Sequence, residues 1–184
     1  MASFDLAYSF LLPDEDTTPP TYQIVHDPVP KRPNPNNDPA ITADNLLRAA
    51  AQAISGINSY YWPKWYAAIA AVAPPQRAEP VKSFYRTNYW THWLQSLNSS
   101  RIAAMVLDAS VNMGAGWGCK LLQRACGAED DGQFGSATVA AANSADLNDM
   151  VRQFVVAREE RYREIGGASL ASWLIRASKI PDFN

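Results

Sequence analysis

Residues 100–114 read Ser-Arg-Ile-Ala-Ala-Met-Val-Leu-Asp-Ala-Ser-Val-Asn-Met-Gly. Ile102, Met105, Val106 and Ala109 recur three and four apart, the spacing that lays apolar side chains along one face of an α-helix. Ser100 offers a cap for Ile102–Met113, and Gly114 a stop. Asp108 and Asn112, also four apart, interrupt this apolar stretch on a shared face. A buried polar pair costs stability unless it is hydrogen-bonded. The segment therefore predicts a core helix that carries either a bonded brace or a ligand contact.

The same helical spacing continues in both directions. Toward the C-terminus, Trp117–Cys126 reads as a helix closed by Gly127. Asp130–Gly135 comes next as a polar turn whose glycines supply unusual backbone angles, and Ser136 caps a short helix. The longest helix opens at Ser144 and carries Leu147, Met150, Val151, Phe154, Val155 and Tyr162 before Gly166 and Gly167. Leu170–Ala177 closes the chain. Toward the N-terminus, Pro80 suits the first turn of a helix from Val81 to about Leu97. Another starts at Pro63 with Trp65, Tyr66, Ile69 and Val72. Thr42 and Asp44 open one that ends near Gly56. Ser3 caps a first helix with Phe4, Ala7, Tyr8, Leu11 and Leu12 on one face, and Pro13 is expected to stop it. Between Asp14 and Ala40 the density of Pro, Asn, Asp and Thr excludes a helix. A loop of that length in a compact domain is functional or disordered. No alternating strand pattern of useful length stands out, so the expected fold class is all-α.

A chain of 184 residues accommodates one domain, or one domain with a small lobe. With 47% hydrophobic and 18% charged residues it falls among soluble globular proteins. The net charge of −2 provides no basic field for nucleic acid. No apolar run reaches the length of a membrane span. Met1–Leu12 contains Asp5 and lacks a basic leader and a small-residue cleavage site, which implies cytoplasmic synthesis without a signal peptide. Cys119 and Cys126 stand two helical turns apart, about 10.5 Å by helix rise, too far for a disulfide, and are expected as reduced core thiols. Nothing has metal-ligand spacing. The expectation is a monomer with no cofactor and no metal.

Four pieces in order carry a resemblance. Val81-Lys-Ser-Phe-Tyr-Arg-Thr-Asn-Tyr-Trp90 resembles an "A-x-x-x-Y-x-x-x-Y-W" helix, and Asp108-Ala-Ser-Val-Asn-Met-Gly114 a "D-x-x-V-N-x-G" segment. Leu121-Leu-Gln123 with Asp131-Gly-Gln-Phe-Gly-Ser-Ala-Thr138 is similar to the "L-Q-x-x-x-G…D-G-x-x-G-x-x-T" signature of peptidoglycan-binding lobes. Arg158–Tyr162 and Trp173–Arg176 continue the pattern. The stretch from about residue 79 to 176 thus looks like the C-terminal two-thirds of glycoside hydrolase family 108, the N-acetylmuramidases. The resemblance implies a lysozyme-like helical domain with a long N-terminal active-site loop and a helical C-terminal lobe. Residues 1–114 would form the muramidase-like region and 115–184 the peptidoglycan-binding-like lobe. It also implies peptidoglycan glycan strands as partner, and action in the periplasm or at the wall after release by a holin or secretion machine, with no membrane insertion.

In the family an apolar helix beginning with Phe runs into "E-G-G", whose Glu is the catalytic acid. Here Phe4, Ala7, Phe10, Leu11 and Leu12 lead to Glu15, with Asp16 and Thr17 in place of the two glycines. Glycosidic cleavage needs an acid that protonates the leaving oxygen, and apolar surroundings or neighbouring carboxylates keep such an acid protonated. Glu15 is the candidate; the bland reading is three solvated carboxylates, Asp14 to Asp16, after a helix stop. Asp27, downstream in the same loop, is the candidate second carboxylate, against a plain Asp-Pro turn. Thr21 and Tyr22 are candidates to orient water or sugar, and His26 is a weaker base candidate. Tyr85 and Tyr89 share a helix face that is either core or sugar platform, and Trp90 and Trp93 belong to the same aromatic cluster. Asp108 and Asn112 are brace or N-acetyl contact. The leading activity is hydrolysis of the β-1,4 bond between N-acetylmuramic acid and N-acetylglucosamine. A wall-binding protein without chemistry and a lytic transglycosylase are the alternatives.

Overall fold

Helix α6, Ser100–Met113, is enclosed on all sides: every residue from Ile102 to Ser110 is buried. The apolar stripe read from sequence is therefore only part of its contact surface, because the alanines and Ser110 on the other faces are covered too. The computed structural model describes residues 1–17 and 19–183. Around α6 lie α5 (His92–Gln95), α7 (Ala115–Cys126), α8 (Ser136–Ser144), α9 (Leu147–Ile165) and α10 (Leu170–Ala177). Helix α7 packs on α6, α8 and α9, and α10 packs on α9. Close approach of α7 to α6 requires Gly118, because a Cβ there would meet the Ser110 hydroxyl and the Val106 carbonyl. These elements, with Met1–Leu11 and Tyr85–Asn184, make one compact unit.

The second unit, Leu12–Phe84, is smaller. It holds the end of α1 (Phe4–Glu15), β1 (Ile24–His26), α2 (Pro39–Ala49), β2 (Gln52–Ile54), β3 (Ile57–Asn58), α3 (Pro63–Ala70) and the start of α4 (Ala78–Tyr89). The three strands form an antiparallel sheet in the order β1-β2-β3. Ile54 pairs with Ile57, so Ser55 and Gly56 are a two-residue hairpin turn. Both have positive φ, 45° and 75°, as the turn that matches strand twist requires.

The mostly helical, lysozyme-like class is borne out, and particular boundaries are corrected. Pro13 does not stop α1, which runs on to Glu15. A proline in the last turn removes only one backbone donor, and the ladder resumes with Asp16 N–H on Leu12 C=O at 2.9 Å. Helix α2 starts at Pro39, capped by Asp38 rather than by Thr42 or Asp44, and ends at Ala49. The stretch toward Gly56 is the β2–β3 hairpin, signalled by Ser-Gly and by alternation too short to stand out. Helix α4 ends at Tyr89, and α5 begins afresh after Thr91, whose hydroxyl accepts from Leu94 N–H. Ser99, not Ser100, caps α6, and Asp146, not Ser144, caps α9. Gly135 rather than Ser136 stands at the cap position of α8. Cys119 and Cys126 are free thiols. Burial, ahead of the charges of Asp131 and Asp130, pushes Cys119 up to about 11. Among the described residues no helix is long and apolar enough to cross a membrane.

Asp108 is the polar centre of the larger unit. It is fully buried, with Arg158 Nη2 at 2.5 Å on Oδ2 and Arg176 Nη2 at 2.7 Å on Oδ1. One carboxylate thus joins α6, α9 and α10. Removing one partner of a buried ion pair leaves the other charge uncompensated, at about 3–5 kcal/mol. Asp108→Ala is expected to lower unfolding stability by that order in urea titration, and a loss below about 1 kcal/mol would show that the arginines find other partners.

Candidate functional site

Glu15 is the last residue of α1 and is half-buried. Its neighbour Asp16 organises the loop beyond the helix. The Asp16 carboxylate accepts from Thr17 N–H at 2.6 Å, Thr21 N–H at 3.0 Å and Tyr22 N–H at 3.0 Å. It also accepts from the Thr21 hydroxyl at 3.2 Å and the Ser55 hydroxyl at 2.5 Å. The loop is thereby wound around one side chain and pinned to the β2–β3 turn. Burial pushes the Asp16 pKa up, but the hydrogen bonds from Ser55, Thr21, Thr17 and Tyr22 outweigh it and hold the carboxyl below its ordinary value. Asp16 is therefore a fixed anion and not a proton donor near neutral pH.

Tyr22 sits at φ 53°, an uncommon conformation for a residue with a side chain. It is held from both sides: its N–H goes to Asp16, and its carbonyl accepts from Arg77 Nη1 at 2.8 Å. Arg77 is itself buried and donates to the carbonyls of Ile69, Ala70 and Val72 at the end of α3. A cation on the last carbonyls of a helix satisfies acceptors that the helix leaves open. Thr21 and Tyr22 are thus held by Asp16, and Tyr22 also by Arg77, two residues whose anchoring roles the sequence does not single out. Each also reaches one partner distant in sequence, Ser55 for Asp16 and Tyr22 for Arg77, which no local spacing announces.

Asp27 is exposed, and Asn58 Nδ2 lies 2.7 Å from its Oδ2 and 2.9 Å from its carbonyl. The buried Asn58 thus fixes the loop at Asp27 against β3. His26 Nε2 is 3.0 Å from the Ala49 carbonyl, an acceptor that requires the proton on that nitrogen.

In the larger unit, Tyr85 is buried and its ring lies 6.0 Å from that of Tyr8 and 6.1 Å from that of Tyr89, centroid to centroid. Tyr85 belongs to the core, whereas Tyr89 is half-buried. Trp90 meets Phe4 edge-on at 5.5 Å, so the aromatic cluster of α4 seats the start of α1. Asp108 is wholly engaged by arginines, and Asn112 Oδ1 accepts from the Tyr162 hydroxyl at 2.6 Å. Burial raises the Tyr162 pKa against the lowering effect of Arg158, so the phenol keeps its proton. The Asp131–Gly135 turn is built on the buried Gln123, whose amide donates to Asp131 Oδ1 at 2.7 Å and accepts from Gly132 N–H at 2.9 Å. No group of His, Cys, Asp and Glu suited to hold a metal occurs among the described residues.

The family model described as glycosyl hydrolase 108 matches residues 42–114. It covers the Val81–Trp90 and Asp108–Gly114 pieces and begins after Glu15 and Asp27. The match identifies the class, a glycoside hydrolase. Over that segment, less than half of the chain, the sequence is similar to glycoside hydrolase family 108. No curated protein matches the chain. Among solved structures, SagA of Brucella abortus has a TM-score of 0.61 and 19% identity over 95% of this chain and 89% of that one. This likeness shows a shared fold. The family supports a peptidoglycan hydrolase of the lysozyme-like kind.

The Asp16 anchor carries a pH signature. Its folded-state pKa lies below the unfolded value of 3.8, so the fold favours the ionised form. Its stabilisation is fully present above about pH 4 and is lost as pH falls through the lowered folded value. Hydrogen bonds to charged groups contribute about 1.5–3 kcal/mol, and Asp16→Asn is expected to cost that order at pH 7. The cost should shrink at pH 3, below the unfolded value of 3.8, where protonation of the unfolded chain erodes the anion's contribution. Equal costs at the two pH values in denaturant titration would assign the loss to shape rather than charge.

Proposed function

We propose that this chain hydrolyses the β-1,4 bond between N-acetylmuramic acid and N-acetylglucosamine in peptidoglycan, with Glu15 as the general acid. The observation that carries this reading is the fixed anion beside it. Of the carboxylates in the segment that corresponds to the family's acid, Asp16 is committed as an ionised loop anchor. Asp14 and Glu15 are then the carboxyl groups left to bring a proton, and of these Glu15 stands in the register of the family's acid. Its place at the carbonyl end of α1 supports the role, because the negative end of a helix disfavours a further negative charge within the last turn. The replacement of glycine by Asp16 also has a structural purpose: hydrogen bonds hold the loop, so the departure from "E-G-G" does not by itself argue for lost chemistry.

In this mechanism Glu15 protonates the leaving glycosidic oxygen while positive charge develops at the sugar. Asp27, oriented by Asn58, activates water or steadies that charge. Thr21 and Tyr22, fixed by Asp16 and Arg77, line the approach to Glu15. Residues 115–184 serve as the lobe that holds the wall polymer, and the enzyme reaches the wall through a holin or a secretion machine.

Glu15→Gln keeps shape and hydrogen-bonding capacity but removes the transferable proton. General acid–base catalysis contributes about 10²–10⁴-fold, and turnover on purified peptidoglycan should fall by that order with fold and wall binding retained. The alkaline limb of the wild-type pH–rate profile should belong to Glu15 and be absent from the residual activity of the variant. Substantial turnover by Glu15→Gln would move the acid elsewhere. Mass spectrometry of the products separates a hydrolysed reducing end from the anhydro-sugar of a transglycosylase.

A further inference from the structure

The hydroxyl of Tyr162 stands in a chain of donors whose direction is forced. Arg158 approaches it with Nε at 3.3 Å and Nη2 at 3.1 Å. A guanidinium only donates, so the phenol oxygen accepts from it and keeps its own proton for another partner. That partner is Asn112, 2.6 Å away. The atom of Asn112 that faces Tyr162 must then be the carboxamide oxygen, since the nitrogen would set donor against donor. Its Nδ2 has no hydrogen-bond partner among the described residues, and Asn112 is only half-buried. The residue thus offers an oriented donor whose rotation is blocked at the other end.

Trp173 stacks on the same tyrosine, with ring centroids 5.4 Å apart and planes inclined by 25°. Its indole is half-exposed. One tyrosine therefore holds an amide donor by its hydroxyl and a flat apolar ring by its face. A pyranose has the complementary pair of features, an apolar C–H face and polar substituents at its edge. Among those substituents an acetamido carbonyl is a strong neutral acceptor suited to a single N–H.

We propose that Asn112 and Trp173 form a binding subsite for an N-acetylhexosamine, with Tyr162 as its positioning residue. Asn112 Nδ2 donates to the acetamido carbonyl oxygen, and Trp173 carries the C–H face of the ring. The identity of the sugar rests on the peptidoglycan-hydrolase reading; the orientation of the donor does not.

The test is calorimetric titration of the full chain with tetra-N-acetylchitotetraose and with the deacetylated glucosamine tetramer, alongside turnover on peptidoglycan. Wild type should prefer the acetylated tetramer. Asn112→Asp preserves the acceptor for the Tyr162 hydroxyl but has no N–H, so it should lose about tenfold in affinity for the acetylated ligand and erase the preference. Trp173→Leu should weaken both ligands alike. Tyr162→Phe keeps the ring stack but frees the amide, and should raise KM severalfold while kcat changes little. If Tyr162→Phe fails to fold by circular dichroism, Asn112→Asp decides alone. A wild type that cleaves peptidoglycan while Asn112→Asp keeps its acetyl preference overturns the subsite and leaves the Glu15 reading standing. Acetyl-selective binding lost in Asn112→Asp, with no cleavage by wild type, supports the subsite and overturns the catalytic reading. Neither binding nor cleavage by wild type overturns both.

Discussion

A carboxylate at the middle of an enclosed helix must have its charge answered inside the protein, and at Asp108 the answer comes from two other helices. Arg158 and Arg176 reach the same carboxylate from α9 and α10. Removing such charges from water costs several kcal/mol each before their attraction is counted. The arrangement therefore tolerates little displacement: α9 and α10 must stand where their guanidinium groups meet both oxygens. Gly118 sets the matching constraint on α7, which lies close enough to α6 to exclude a Cβ. The start of α1 depends on the same helix, since Ser3 N–H donates to the Ser100 hydroxyl at 3.0 Å. Apolar burial supplies the driving force here, and the buried charge supplies a register.

The smaller unit is fixed by a different balance. Helix α2 has no buried residue and is held by polar ties, with Tyr60 donating to Asp44 at 2.7 Å and Arg48 to the Pro30 carbonyl at 3.0 Å. The loop after α1 likewise has little apolar surface to bury and is ordered by the Asp16 carboxylate and the Arg77 guanidinium. Multiple hydrogen bonds from one ionised side chain can fix a loop because each is stronger than its neutral counterpart. The consequence is sensitivity: a loop fixed through charge responds to acid in a way that a packed helix does not.

These two regimes explain what is legible in the sequence. Helices with an apolar face announce themselves by spacing, and α6, α7, α9 and α10 fall within a few residues of their expected bounds. The pairing of Asp108 with Asn112 is visible as a polar interruption four apart, and the need for bonding partners comes from burial cost. Arg158 as partner is not visible, because it lies fifty residues further along the chain. The β2–β3 hairpin escapes because strands of three and two residues leave no room for alternation. Its Ser-Gly turn is the only local signal. Asp16 and Arg77 escape for the reason that makes them effective: their partners, Ser55 and Tyr22, are remote in sequence.

On the proposed reading, the same hydrogen bonds that order the loop also divide labour between adjacent carboxylates. Two neighbouring acids cannot both be ionised without mutual cost, and whichever has the better hydrogen-bond donors keeps the charge. Asp16 has those donors in Ser55, Thr21, Thr17 and Tyr22. Asp16 is thereby committed to the ionised form, next in sequence to the residue proposed as the acid. Environments that push paired carboxyl groups apart are how acid and base roles become assigned at one pH. Two glycines at positions 16 and 17 would free the backbone but could not supply these hydrogen bonds. Asp16 therefore replaces backbone freedom with a fixed anion, and the order of the loop comes to depend on the charge of one side chain.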